Sequence, residues 1–156
     1  MTATQILEII EANMSVSNYA HEDYDYPEDL GFLSQEEKES HNKYEELAIK
    51  MRDLYSKNAW KETEETLQLR EEQKQYLDWQ GVETAFKKSL GVGDWVEVEQ
   101  YGGEGKGESW YSVKHFIDHD IYIRTDGFYT SYNGTDFYDG YGREVFPVSK
   151  TVVVYE

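Results

Sequence analysis

The chain has 156 residues, 32 acidic and 15 basic, and a net charge of −17. That length fits one domain or two small modules that share a core. The charge argues against direct contact with nucleic acid or an anionic membrane, because both need basic surface to displace counterions.

Three uses of the charge remain: solubility, a basic partner, and imitation of a nucleic acid. There is no cysteine, which excludes disulfides and thiolate metal sites. The stretch MTATQILEIIEANMS has no basic leader region and carries Glu8 and Glu11. It predicts neither a signal peptide nor an anchor, and no apolar run reaches membrane-spanning length. A cytoplasmic protein is expected. Aromatics, at 15% of the chain, offset a modest apolar content of 38%, since large rings bury much area each.

In chain order, Thr4 to Met14 reads as a short amphipathic helix with Ile6, Leu7, Ile9 and Ile10 as its apolar side. An acidic linker follows near residues 17–33, with Glu22, Asp23, Asp25, Glu28 and Asp29 but no Lys or Arg. Ser34 with Glu37 is a capping-box pair that predicts a helix from about Gln35. Tyr44, Leu47, Ala48, Met51, Leu54 and Tyr55 form its narrow seam. Asn58 marks a break, and a second long helix is expected from Ala59 to Trp79, closed by Gly81. A helical hairpin is the preferred reading and one continuous helix the alternative. Val82 to Leu90 predicts a short helix.

After Gly91 the period changes to two. GVGDWVEVEQY reads as a half-buried strand, with Trp95, Glu97 and Glu99 opposite Val96 and Val98. The loop YGGEGKGES leads to strand WYSVKHF, turn IDHD and strand IYIRTDG. FYTSY is expected as a further short strand, NGTD as a hairpin turn, and TVVVY as the last strand. The expected fold is α+β: a helical region over residues 1–90, made of a short helix and a helical hairpin, packed on a small antiparallel barrel over residues 91–156.

The motifs that invite chemistry are weak. His115 and His119 lie four apart in a strand context, which separates them by roughly 13 Å at the strand rise unless the chain turns. Asp118 and Asp120 read as turn residues whose carboxylates bond nearby backbone N–H groups. GGEGKGES fails as a phosphate loop, because Lys106 is followed by Gly107 and then by a strand. NGTDFYDGYGRE has the composition of a calcium loop but not the ligand spacing. No catalytic residue, metal ligand or cofactor is assigned.

The segments GDWVEVEQYGGEGKG, WYSVKHFIDHDIYIRTDGFY, SYNGTDF, EVFPV and TVVVYE resemble the small SH3-like β-barrels over residues 91–156. The chain as a whole resembles the small acidic accessory proteins of tailed bacteriophages. The first resemblance implies a binding module and assigns no residue. The second implies a modulator or inhibitor of a host protein, acting in the host cytoplasm.

Aromatic density carries the most functional content, because so small a module cannot bury all its rings. Trp110, Tyr129, Tyr132 and Tyr138, with Asp136 and Asp139 as a polar rim, are the candidate recognition residues. Rings packed inward with hydroxyls at the rim are the structural alternative. The expectation is a non-catalytic protein binder whose partner is a protein, basic or itself nucleic-acid-binding. Self-association through the narrow helical seam is a further option. A nucleic-acid mimic is the first alternative. It is disfavoured by the mixed charge of residues 34–79, 12 acidic against 8 basic. A small metal-dependent hydrolase using His115 and His119 is the second.

Overall fold

The structure is a computed structural model that describes residues 1–103 and 109–150. Five helices precede an antiparallel sheet, so the class is α+β. The chain forms two compact units. One combines Met1–Asp25 with the chain from Leu90 onward, and the other is Tyr26–Ser89. The expected boundary near Leu90 is one edge of this division. The first 25 residues, however, belong with the sheet and not with the helical pair.

In the sheet unit, α1 (Ala3–Asn13) opens on a capping box between Thr2 and Gln5 and buries Ala3, Ile6 and Ile10. Where an irregular linker is expected, α2 (Val16–His21) forms, capped by Ser15 and ended by Glu22 in the left-handed region. Strands β1 (Trp95–Tyr101), β2 (Ser109–Phe116), β3 (Ile121–Thr130) and β4 (Gly134–Phe137) form an antiparallel meander. The short β5 (Arg143–Val145) pairs with β3 beside β4. Among the described residues this is an open sheet in the order β1-β2-β3-β4. The strand expected at TVVVY, and most of the glycine-rich loop, lie outside the described residues.

Strand alternation sorts the sheet into two faces. The inner face carries Trp95, Phe116, Ile121 and Ile123, which form one core with Ala3, Ile6, Ile10, Tyr19 and Val92. Each fully buried side chain of this size contributes roughly 1.5–3 kcal/mol relative to exposure, so this face holds the unit together. FYTSY is not a separate strand. Phe128 to Thr130 continue β3, which runs ten residues before a turn over residues 131–133 leads into β4 at Gly134. The expected alternation in β1 also breaks. A bulge between Glu97 and Glu99 puts Glu97 opposite Lys114 on the inner face and Glu99 opposite Val113 on the outer one.

In the helical unit, α3 (Gln35–Lys57) starts at the Ser34–Glu37 capping box. Its seam buries Leu47 and Met51. The chain then leaves the helix with Ala59 and Trp60 at positive φ, so the hairpin forms and a continuous helix does not. The second helix is shorter than expected. α4 (Glu64–Gln73) begins at Thr63, where Thr66 completes the capping box, and ends at Lys74. Gly81 does not close the unit. Asp78 accepts a 2.8 Å bond from the Gly81 amide, and α5 (Trp79–Ser89) starts there. Contacts between Gln73 and Tyr44 (3.1 Å) and between Leu77 and Ser40 (2.9 Å) show the chain running back antiparallel to α3. Tyr26, Phe32, Trp79 and Phe86 pack as one aromatic cluster in this unit.

Candidate functional site

The outer face of the sheet is built by cross-strand rows. Val96, His115, Tyr122 and Val145 stand opposite one another across β1, β2, β3 and β5. The next row is Glu99, Val113, Arg124 and Arg143. The third joins Tyr101, Tyr111 and Asp126, and the Tyr138 amide donates to the Asp126 carbonyl at 3.0 Å. This register gathers rings and ions that are far apart in sequence.

Tyr101 and Tyr111 stack with centroids 5.8 Å apart, and the Arg124 guanidinium lies 3.8 Å over the Tyr111 ring. The Tyr111 hydroxyl donates to Glu99 at 2.5 Å, and this carboxylate holds the phenol above its ordinary pKa. Arg124 donates from Nε to Asp126 Oδ1 at 2.8 Å, a bond that raises the guanidinium pKa further. Arg143 approaches Asp126 Oδ2 at 2.8 Å as an ion pair without hydrogen-bond alignment, and also pairs with Asp139. Tyr111, Arg124, Asp126, Tyr138, Asp139 and Arg143 line a shallow groove of about 340 Å³.

The six residues singled out from sequence do not form one cluster. Trp110 is 3% exposed on the inner face, where His21 packs 5.1 Å and Phe137 5.6 Å from its ring. Tyr129, half-buried, lines a second groove of about 450 Å³ on that side, with Trp110, His21 and Asn133. Asp136 alternates to the outer side of β4 and is exposed. Tyr132 projects from the β3–β4 turn at 97% exposure, and Tyr138, 65% exposed, belongs to the outer groove with Asp139. The sheet's end therefore presents two surfaces, with Tyr132 at the tip.

The histidine motif is a connection between strands. Ile117–His119 make a single 3₁₀ turn, and Asp120 sits in the left-handed region. His115 Nε2 lies 3.0 Å from Asp120 Oδ1, and its ring stacks on Tyr122 with centroids 4.1 Å apart. The Ile117 amide bonds the Asp94 carbonyl, which ties the turn to the start of β1. In the calcium-like stretch, Asp139 is engaged by Arg143, and Asp136 stands on a strand. No group of three His, Asp or Glu side chains converges among the described residues.

Sequence reasoning missed two groups. Lys114 is 1% exposed on the inner face, 3.6 Å from both Glu22 and Glu97 and 3.3 Å from the Ala20 carbonyl. Its place in the alternation of WYSVKHF, between Trp110 and Phe116 in phase, was a readable signal. The Arg124–Tyr111–Tyr101 cluster, which joins two neighbouring rows, had none, because it depends on the pairing register of three strands.

A groove of about 640 Å³ in the helical unit is lined by Phe32, Leu77, Gly81 and Ala85 with Glu37 and Lys88. Glu37 there is committed to the Ser34 cap, which holds its carboxyl below the usual range. Among the described residues no helix is long and apolar enough to cross a membrane. Comparison of the chain with family models, with curated proteins and with solved structures finds no match.

Proposed function

We propose that the protein is a non-catalytic binder of another protein and that the sheet unit carries the contact surface. The observation behind this reading is the exposure of large rings at the end of the sheet, 97% for Tyr132 and 65% for Tyr138, beside Asp136 and Asp139. A tyrosine loses little conformational entropy when held at an interface, so such rings anchor partners efficiently. The meander of four strands with a short fifth supports a finer reading as part of an SH3-like barrel, a fold that serves as a binding module. The resemblance to phage accessory proteins narrows the partner to a host protein that is inhibited or redirected.

Affinity capture from bacterial lysate, with partners identified by mass spectrometry, tests this reading. Tyr132→Ala should lower affinity for the captured protein by about 2 kcal/mol or more, with unchanged thermal unfolding. Full affinity in both Tyr132→Ala and Tyr138→Ala would dispose of the reading.

A second reading, imitation of a nucleic acid, gains from one structural fact. The sheet unit holds 17 acidic and 5 basic residues, a net −12, so the charge is concentrated there and not spread along the chain. Ionic strength separates the two. A complex held by charge weakens steeply with added salt, and one anchored by rings weakens little.

A further inference from the structure

The outer face of the sheet brings two properties together. Its unit is strongly acidic, and the two arginines of this face already carry acidic partners: Arg124 and Arg143 both pair with Asp126, while Lys114 lies on the other face beside Glu22 and Glu97. The same face exposes flat rings. Tyr101 is 49% exposed at the end of a stacked row whose inner member, Tyr111, already has a guanidinium over it at 3.8 Å. The Arg124 contact shows which chemistry this row accepts: a planar cation on a tyrosine face, beside a carboxylate that takes its N–H groups.

From this we infer that the outer face docks an arginine-rich segment of a partner protein. Incoming guanidinium groups stack on Tyr101 and Tyr138 and pair with Glu99 and with Asp136, which is exposed on the outer side of β4. The inference rests on the protein-binding reading and adds to it a surface and a partner chemistry. Lysine would satisfy the charge but not the stack, because an ammonium is a point charge with no plane to lay on a ring. Preference for arginine over lysine is therefore the signature that separates this face from a general attraction to polycations.

The test is a titration of the full-length, ¹⁵N-labelled protein with a short arginine-rich peptide, with its lysine-for-arginine version and with a glutamate-for-arginine control. The expected result is saturable movement of the β1, β2 and β3 amides, and no movement with the glutamate peptide. The arginine peptide should bind about threefold or more tighter than the lysine one, the scale of an exposed cation–π contact. Tyr101→Leu keeps the strand and removes the π face, and should erase that preference. Equal binding of the two peptides, shifts scattered over carboxylates of both units, or no binding at all would overturn the inference. None of these outcomes touches the Tyr132 and Tyr138 substitutions against a captured partner, so the two readings fail separately.

Discussion

At the scale of single residues, the sheet unit holds polar groups on its core side that the sequence pattern would place among hydrophobes. Lys114 is almost wholly buried, and the two carboxylates beside it are each about one third exposed, at 32% and 34%. Breaking a buried charge cluster by removing one member leaves the others uncompensated. Their partial exposure lets water relieve some of that cost. Lys114→Met should therefore destabilise the protein by about 2 kcal/mol, short of the range for fully buried pairs. Adding Glu97→Gln should recover part of the loss, and urea unfolding of the double-mutant cycle measures it. Tyr19 is the opposite case. It is fully buried, its hydroxyl has no hydrogen-bond partner among the described residues, and burial raises its pKa. Tyr19→Phe removes an unsatisfied polar atom and keeps the ring contacts with Trp95 and Tyr141. It should be neutral or stabilising in thermal unfolding. A clear loss of stability would mean that the hydroxyl has a partner.

His21 links this scale to pH. Its ring rests on Trp110 and Phe137, and lost hydration lowers its pKa, helped by Lys114 and opposed by Glu97 and Asp23. A base whose folded pKa is depressed is held neutral by the fold, so below about pH 6.5 the unfolded chain binds the extra proton first. Stability from this group is present above that pH and falls as the pH drops through the folded value. Because the residue remains partly open to solvent, screening keeps the effect small. Melting temperatures recorded from pH 7.5 to 5 should show a shallow decline that His21→Gln flattens.

At the scale of elements, local signals were legible where they act through neighbouring residues. The Ser34–Glu37 capping box fixes the start of α3, whereas the turn expected at NGTD falls earlier, over residues 131–133, and Gly134 already pairs with Thr130 at the start of β4. Period-two alternation places β2 and most of β3. What escaped depends on competition between signals. α4 is shorter than its composition predicts: Ala59 to Trp79 contains good helix formers, but Thr63 and Asp78, both capable caps, divide it. The β1 bulge and the Tyr101–Tyr111–Arg124 cluster depend on register, which no single strand encodes. Trp110 is buried where a surface ring is expected, because aromatic density does not reveal which face a ring takes. Asp78→Ala should cost about 1 kcal/mol by uncapping α5, with faster amide hydrogen exchange confined to that segment. His119→Ala, on the 3₁₀ turn between β2 and β3, should change stability by no more than about 1 kcal/mol.

At the scale of the whole molecule, the division of the chain follows from which surfaces need covering. α1 is apolar on the side of Ile6 and Ile10, and those residues meet Trp95, Phe116 and Ile123 in one core. The hydrogen bond from the Tyr141 hydroxyl to the Met14 carbonyl, at 2.6 Å, ties the same helix to the far end of the sheet unit. A chain cut at the end of α5 keeps α1 and α2 but removes every strand they cover. In a fragment of residues 1–90, Ile6, Ile10 and Tyr19 lose their partners, and their exposed apolar surface should drive self-association or bind a hydrophobic dye. Residues 26–89 keep the α3–α4 pairing and the aromatic cluster of Tyr26, Phe32 and Phe86 within the same fragment. Limited proteolysis followed by mass spectrometry should therefore cut the first 25 residues of that fragment rapidly while sparing α3, whereas in the full chain both resist. Equal protection of α1 in the fragment and in the full chain would show that the first helix does not depend on the sheet.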